Sequence, residues 1–345
     1  MASGEASKKD GVIIKFIKEE IMRRSIFVLS LLLIVCGLSM GVTTTLAQTY
    51  PNRTIQIIIG QPPGAAGDIT CRPFAEELGK ILGVPVIVIN KPGASATLGI
   101  DAVVRSKKDG YTIAYTNTSG IVYARVSHPE TVPYDPFKDL EPLGLHLFFP
   151  LTVTVQGDAP WKGFRELIDY AKKNLGKVRM ATHGQGSIDH FNLELIQSMT
   201  GVQFSHIPFK GGPEVVTALL GGHLEVAGEA YTLVLPHVRS GKFKMLLLSR
   251  KAPEFPDIPT MTQLGYKQDL LSAWFALHAP VGIPEEVRKV LVPAIEKAIK
   301  SPAVKEKIEK MGYLVDYKSP EELKKQSVED YETANAIAIK IGLRK

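Results

Sequence analysis

The chain has 345 residues, 45% of them hydrophobic and 22% charged, a soluble-protein balance that suits one large or two medium globular domains. Its formal charge of +6 is mildly basic, and no Lys/Arg run interleaved with aromatics is present, so a nucleic-acid partner is excluded. There is no repeat period, low-complexity tract or flexible linker.

The first element is a targeting segment. Arg23 and Arg24 precede the apolar run "SIFVLSLLLIVCGLSMGV", and "TTTLAQ" supplies an A-x-A-like site with Thr45 and Ala47 at the key positions. Residues 1–47 are therefore expected to be a secretory signal cut after Ala47, with residues 1–21 an extension ahead of Met22. The competing reading is a membrane anchor. The run from Ile26 to Val42 is interrupted by Ser30, Gly37, Ser39 and Gly41, and is marginal against the roughly 20 residues a span needs. Cys36 follows Val35 inside the run, which argues against lipidation, and the exported remainder keeps only Cys71, which allows no internal disulfide.

After the signal, apolar runs alternate with helical patterns: "TIQIIIG", "DITCRPFAEELGKILG", "PVIVIN", "ATLGIDAVVRSK" and "YTIAYTN". That order predicts an α/β unit on a largely parallel sheet. A second unit of the same grammar starts at "FFPLTVTVQ" and runs to "KFKMLLLSR". Beyond "SAWFALHAPVGIP" the pattern is helical over 285–300, 302–311 and 320–341, with Ser301 and Ser319 as N-caps of the last two helices. Two units with no linker predict two lobes joined by crossing strands with a ligand cleft between them. Residues 48–147 with 274–345 form lobe 1 and 148–273 form lobe 2.

Glycine-rich loops fall where strands hand over to helices: "GQPPGAAGD", "NKPGASATLG", "TNTSG", "THGQGSIDH" and "FKGGPE". Helix N-termini at such places offer free amides and a partial positive charge. Asp68 is expected to be the N-cap of its helix rather than an acid catalyst. "GQGSI" is not G-x-S-x-G, so Ser187 lacks the setting of a nucleophile. His183, His190, His206 and His237 have no metal-ligand spacing, so no metal or cofactor is expected. "GQPPGAAGD" matches neither phosphate-loop pattern. His190 either lines the cleft or supports its loop, and Lys210 either meets an anion or is a solvated surface lysine.

The segments "YPNRTIQIIIGQPPGAAGD", "VIVINKPGASATLGIDAVVRSKKDGYTI", "DLEPLG", "GSIDHF", "HIPFKGGPEVVTALLGGHLEV", "IPTMTQLGY" and "HAPVGIPEEV" resemble, in order, the hallmark segments of the tripartite tricarboxylate transporter solute-receptor (Bug) family. The resemblance implies a two-lobed, type II-like periplasmic binding protein, with two Rossmann-like α/β domains and a helical C-terminus. Such a receptor is a monomer, not an enzyme. It closes over a small organic acid and delivers it to membrane permease subunits. A di- or tricarboxylate, an aromatic acid or an acidic amino acid would all serve. The resemblance further implies a ligand carboxylate held by the loop from Pro63 to Asp68, through Gly64, Ala65, Ala66 and Gly67, and by Gly186 and Ser187 opposite. Departures from the family pattern are Gln61, where the first loop is usually aromatic, Ala65 for a glycine and Phe209 for a tyrosine. Thr116, Thr118 and Ser119 are expected to line the cleft. Glu229 either faces it, favouring a ligand with an amine or hydroxyl, or is solvated. The alternatives are an exported enzyme acting on a small carboxylic acid and a receptor that feeds a sensor.

Overall fold

In the computed structural model the run "IQIII" becomes strand β1 (Ile55–Ile59), which buries every residue except Gln56. The structure describes residues 50–344 and, ahead of them, 18, 20–25 and 27, which are helical. Most of the expected secretory signal, including the cleavage site after Ala47, lies outside the described residues. Among the described residues no helix is long and apolar enough to cross a membrane. The chain divides into two units, Met1–Thr49 and Tyr50–Lys345, and every strand named below belongs to the second.

From β1 the chain enters helix α1 (Ala66–Leu82), which sets Phe74, Ala75 and Leu78 against the sheet and ends at Gly83 in the left-handed conformation. Strand β2 (Val86–Asn90), helix α2 (Thr97–Val104) and strand β3 (Thr112–Asn117) follow, and β2 and β3 flank β1 in parallel. After β3 a π-turn (Ser119–Tyr123) leads into the short helix α3 (Ala124–Ser127). Strand β4 (Leu140–Phe149) stays in the first sheet, and after Pro150 the chain passes straight into β5 (Leu151–Gln156) of the second.

The second sheet is built from α4 (Phe164–Lys173), β6 (Arg179–Thr182), α5 (Ile188–Thr200), β7 (Ser205–Pro208), α6 (Gly212–Leu220), β8 (Val226–Ala230), α7 (Tyr231–Arg239) and β9 (Phe243–Leu248). The chain then returns to the first sheet as β10 (Ala273–Pro280). It ends in α8 (Glu285–Ile299), α9 (Pro302–Glu309), β11 (Leu314–Lys318) and α10 (Pro320–Lys340). Strand orders are β11-β4-β10-β3-β1-β2 and β7-β6-β8-β5-β9.

Both sheets are mixed, not largely parallel. β4, β10 and β11 pair antiparallel in the first sheet, and β5 runs antiparallel to β8 and β9 in the second. The reason lies in the connections. Parallel neighbours need a returning helix, whereas β4 enters β5 through one proline and β10 arrives from the other sheet. The C-terminus is mostly helical, as expected, with one strand added: β11 pairs with β4, and α9 is shorter than its helical pattern. Ser319 caps α10 in a capping box with Glu322, but the hydroxyl of Ser301 turns away from α9 and donates to Glu77 at 3.1 Å.

The first sheet's core joins Ile57, Ile59, Phe74, Leu78, Tyr115, Phe275, Leu291 and Ile295. Each such side chain contributes about 1.5–3 kcal/mol by leaving water. Helix α2 presses directly onto the end of β1. A Cβ on Gly99 would lie 2.8 Å from Gly60 Cα, and one on Gly60 would lie 2.5 Å from the carbonyl oxygen of Ala96. Both obstacles are backbone and cannot step aside. Gly99→Ala is therefore expected to lower the free energy of unfolding in urea by about 1–3 kcal/mol, the usual cost of overpacking a tight core.

Candidate functional site

In each sheet one strand has the two strands that follow it in the chain on opposite sides. β1 lies between β2 and β3, and β6 lies between β7 and β8. Loops leaving the C-terminal ends of strands at such positions diverge and open a crevice. A cavity of about 320 Å³ opens here, lined by Ser95 after β2, by Ser119, Tyr123, Ser127 and His128 after β3, and by His183, Gln185, Gly186, Ser187, Ile188 and Asp189 after β6. Its walls touch where Ser127 Oγ donates to the carbonyl of Gly186 at 3.4 Å. Gly186 has φ +80°, and a Cβ there would meet Ser127 Oγ at 2.8 Å, so both conformation and space require glycine.

Ser187 is the N-cap of α5: its hydroxyl accepts the His190 amide at 3.2 Å and donates to the Gly184 carbonyl at 2.8 Å. His190 supports the loop. Its Nδ1 accepts the Gly186 amide at 3.1 Å, its ring stacks on His206 at 4.5 Å, and burial holds its pKa down. Because Nδ1 is an acceptor, the ring is neutral with its proton on Nε2. The Gly186 amide is thus spent inside the loop. The amides of Ile188 and Asp189, first and second in α5, have no intrahelical acceptor by position, and both residues line the cavity. Ser95 reaches the cavity from a turn in which Ala94, Ser95 and Ala96 all have positive φ, a strain of about 1–2 kcal/mol per residue.

Behind the loop lies a buried charge cluster. His183 Nε2 meets Glu229 Oε2 at 2.8 Å, and His183 Nδ1 stands 3.2 Å from Asp189 Oδ2 without the alignment of a hydrogen bond. Burial opposes charge on His183, but the bond to Glu229 and the charges of Asp189 and Glu229 outweigh it and hold the imidazole at about 9. Burial lifts Asp189 to about 7, against the pull of His183. Glu229 is wholly buried and also accepts the Ala230 amide at 2.6 Å. It neither faces the cavity nor is solvated, and reaches the site only through His183.

The other expected residues lie elsewhere. Thr116 and Thr118 are buried in the sheet. The Thr116 hydroxyl bonds to the Ala276 carbonyl and His278, while that of Thr118 accepts the Trp274 amide at 2.9 Å. The loop "GQPPGAAGD" is braced by its own side chains and contributes no residue to the lining of this cavity. Gln61 Oε1 accepts the Gly67 amide at 2.7 Å. Asp68 is not the N-cap of α1. That position is Ala65, and Asp68 sits in the first turn, accepting from the Gly64 amide, Arg72 and Asn90. Arg72 holds Asp68 down at about 2. Lys210 is exposed, and its amide donates to Glu214. Ser119, Gly186 and Ser187 are the expected residues brought together at the cavity. Tyr123, Ser127, His183 and Asp189 were missed. Only the histidine carried a signal, as a polar residue in the loop "THGQGSIDH".

The family pattern described as tripartite tricarboxylate transporter family receptor matches residues 70–343. Protein BugT of Bordetella pertussis is 34% identical over 293 residues, 84% of this chain and 89% of BugT. Among solved structures, a TctC solute binding protein from Polaromonas is similar with a TM-score of 0.77 at 28% identity, over 85% of this chain and 100% of that one. MatC from Rhodopseudomonas palustris, solved with bound malate, is similar with a TM-score of 0.65 at 25% identity, over 84% of this chain and 99% of MatC.

His183 and Asp189 both bind protons more tightly in the folded chain than at their ordinary values of 6.5 and 3.8. A raised pKa gives a contribution that is full below the ordinary value and lost as pH rises through the folded one. Asp189 therefore loses its contribution between 3.8 and about 7, and His183 between 6.5 and about 9. Urea unfolding of wild type and Asp189→Asn across this range is expected to show the variant gaining stability relative to wild type as pH rises toward neutrality. A difference that does not change with pH would contradict the assignment.

Proposed function

Because the chain belongs to the tripartite tricarboxylate transporter receptor family, whose members are periplasmic solute-binding proteins, we propose that it captures a small organic carboxylate and delivers it to membrane permease subunits. The observation that carries this reading is the convergence, on one cavity, of the Ser119 hydroxyl with the N-terminus of α5 behind Ser187. A helix N-terminus and a hydroxyl donor suit a carboxylate, and the partial positive charge there replaces a buried arginine. The malate held by MatC is a ligand of this chemistry.

Two lobes close over the ligand by a hinge motion. Lobe 1 comprises residues 48–147 and 274–345 and lobe 2 residues 148–273, a division supported by the change of sheet after Pro150 and again between β9 and β10. Residues 1–47 direct export, and the mature chain acts as a monomer and binds without turnover.

A thermal-shift screen with di- and tricarboxylates, aromatic acids and acidic amino acids tests the reading. A ligand at 100 times its Kd adds about 2.7 kcal/mol of stability, and if no acid of any class raises the melting temperature the receptor reading fails. Ser187→Ala is expected to weaken binding of the acid found and to cost about 1 kcal/mol of stability through the lost N-cap. An unchanged Kd in that variant would remove Ser187 from the site.

A further inference from the structure

A second cavity, of about 210 Å³, opens on the first sheet and shares no lining residue with the one above. Ile121 of the π-turn, Phe137, Leu140 and Pro142 give it apolar walls, and its buried polar residues are His278 of β10 and Ser327 of α10, 4% and 3% exposed. A bulge puts the imidazole there. Leu277 faces Gly144 but His278 faces Pro142, so β4 takes one extra residue at this point, and Pro142 has no N–H to give to the ladder. The charged residues of the lining are exposed or matched: Lys324 is exposed, Lys138 pairs with Asp135, and Glu141 pairs with Arg288.

The hydrogen bonds around His278 fix what it offers to the cavity. Thr116 has one hydroxyl proton and two neighbours, the Ala276 carbonyl at 3.1 Å and His278 Nδ1 at 2.9 Å. Both contacts are hydrogen bonds only when the hydroxyl donates to the carbonyl and Nδ1–H donates to the hydroxyl, which leaves a lone pair on Nε2. Burial holds the imidazole at about 3, so the ring is neutral. Nε2 has no partner among the described residues, and unlike Nε2 of His146 it is not sealed from the surface. Ser327 spends its own proton on the Leu323 carbonyl at 2.8 Å. The buried side chains of this cavity therefore only accept, and a guest must bring the donor on an otherwise apolar body.

An apolar cavity of about 150 Å³ holds benzene, so this one has room for a ring with a small substituent. We propose that it is a second ligand site, one that takes a small phenol whose ring packs on Leu140 and Pro142 and whose hydroxyl donates to His278 Nε2. Water in the same place finds acceptors for its protons but apolar walls on its other sides. The site stands apart from the carboxylate-receptor reading and does not depend on it.

Crystals soaked in 4-bromophenol locate the guest by the anomalous signal of bromine. A peak in this cavity, with the phenol oxygen within hydrogen-bond distance of His278 Nε2, is expected. Water alone there, or bromine only elsewhere, overturns the inference. In isothermal titration phenol is expected to bind at least about tenfold more tightly than anisole, whose oxygen carries no proton, and His278→Phe is expected to erase that margin. Equal binding of the two, or a margin that survives His278→Phe, overturns the inference and leaves the receptor reading standing. Should His278→Phe fail to fold by circular dichroism, the soak and the wild-type ranking decide.

Discussion

The cavity depends on one buried contact, the imidazole of His183 held between Glu229 and Asp189. It ties three elements that are distant in the chain: the loop after β6, the first turn of α5 and the end of β8. A carboxylate taken out of water costs several kcal/mol unless it is matched, and here one cation serves two carboxylates. The cluster therefore leaves one acid short of a full partner. That deficit falls on Asp189, the member of the pair that lines the cavity, while Glu229 takes the hydrogen bond and the backbone amide.

The loop in front of this cluster is satisfied almost entirely from within. The Gly186 amide goes to His190, and the Ser187 hydroxyl goes to Gly184 and the His190 amide. Internal saturation keeps the loop in one shape and leaves only the α5 N-terminus and the Ser119 hydroxyl across the cavity to meet a guest. The loop after β1 solves the same problem differently. Gln61, Asp68, Arg72 and Asn90 form a network that consumes the Gly64 and Gly67 amides. The loop is thereby braced between β1, α1 and β2.

Where the chain changes sheets, its polar groups hold the crossing. Thr118 and the Trp274 backbone exchange hydrogen bonds, the Trp274 indole donates to the buried Asp330 at 2.8 Å, and burial lifts that acid to about 6. Arg250, just past β9, lies over the Phe148 ring of β4 and pairs with Asp316 of β11. Side chains at the crossing are thereby anchored in the first sheet even though their strand lies in the second. Thr116 and Thr118 sit at the end of a strand that leads to the cavity, yet their hydroxyls serve this scaffold.

Alternation of apolar strands and amphipathic helices was legible in the residues, as were the handover loops and the Ser319 cap, because each follows from a period or a turn within a few residues. The antiparallel strands were not. β10 pairs with β3 and β4 across more than a hundred residues, and no local pattern names a partner at that distance. Ser187 and Gly186 were expected through the family resemblance, in whose segment "GSIDHF" they stand first, since a glycine and a serine at a strand-to-helix turn also serve turns and caps. Tyr123 reads as a core aromatic and Asp189 as a helix-start acid, and both descriptions hold. They share one cavity lining only because the fold brings the turn after β3 beside the first turn of α5. The sequence by itself determined the elements, their order and the turn chemistry, since these are set by neighbours along the chain. Tertiary structure alone decided which charges meet out of water, because burial and pairing depend on residues the chain brings together from far apart.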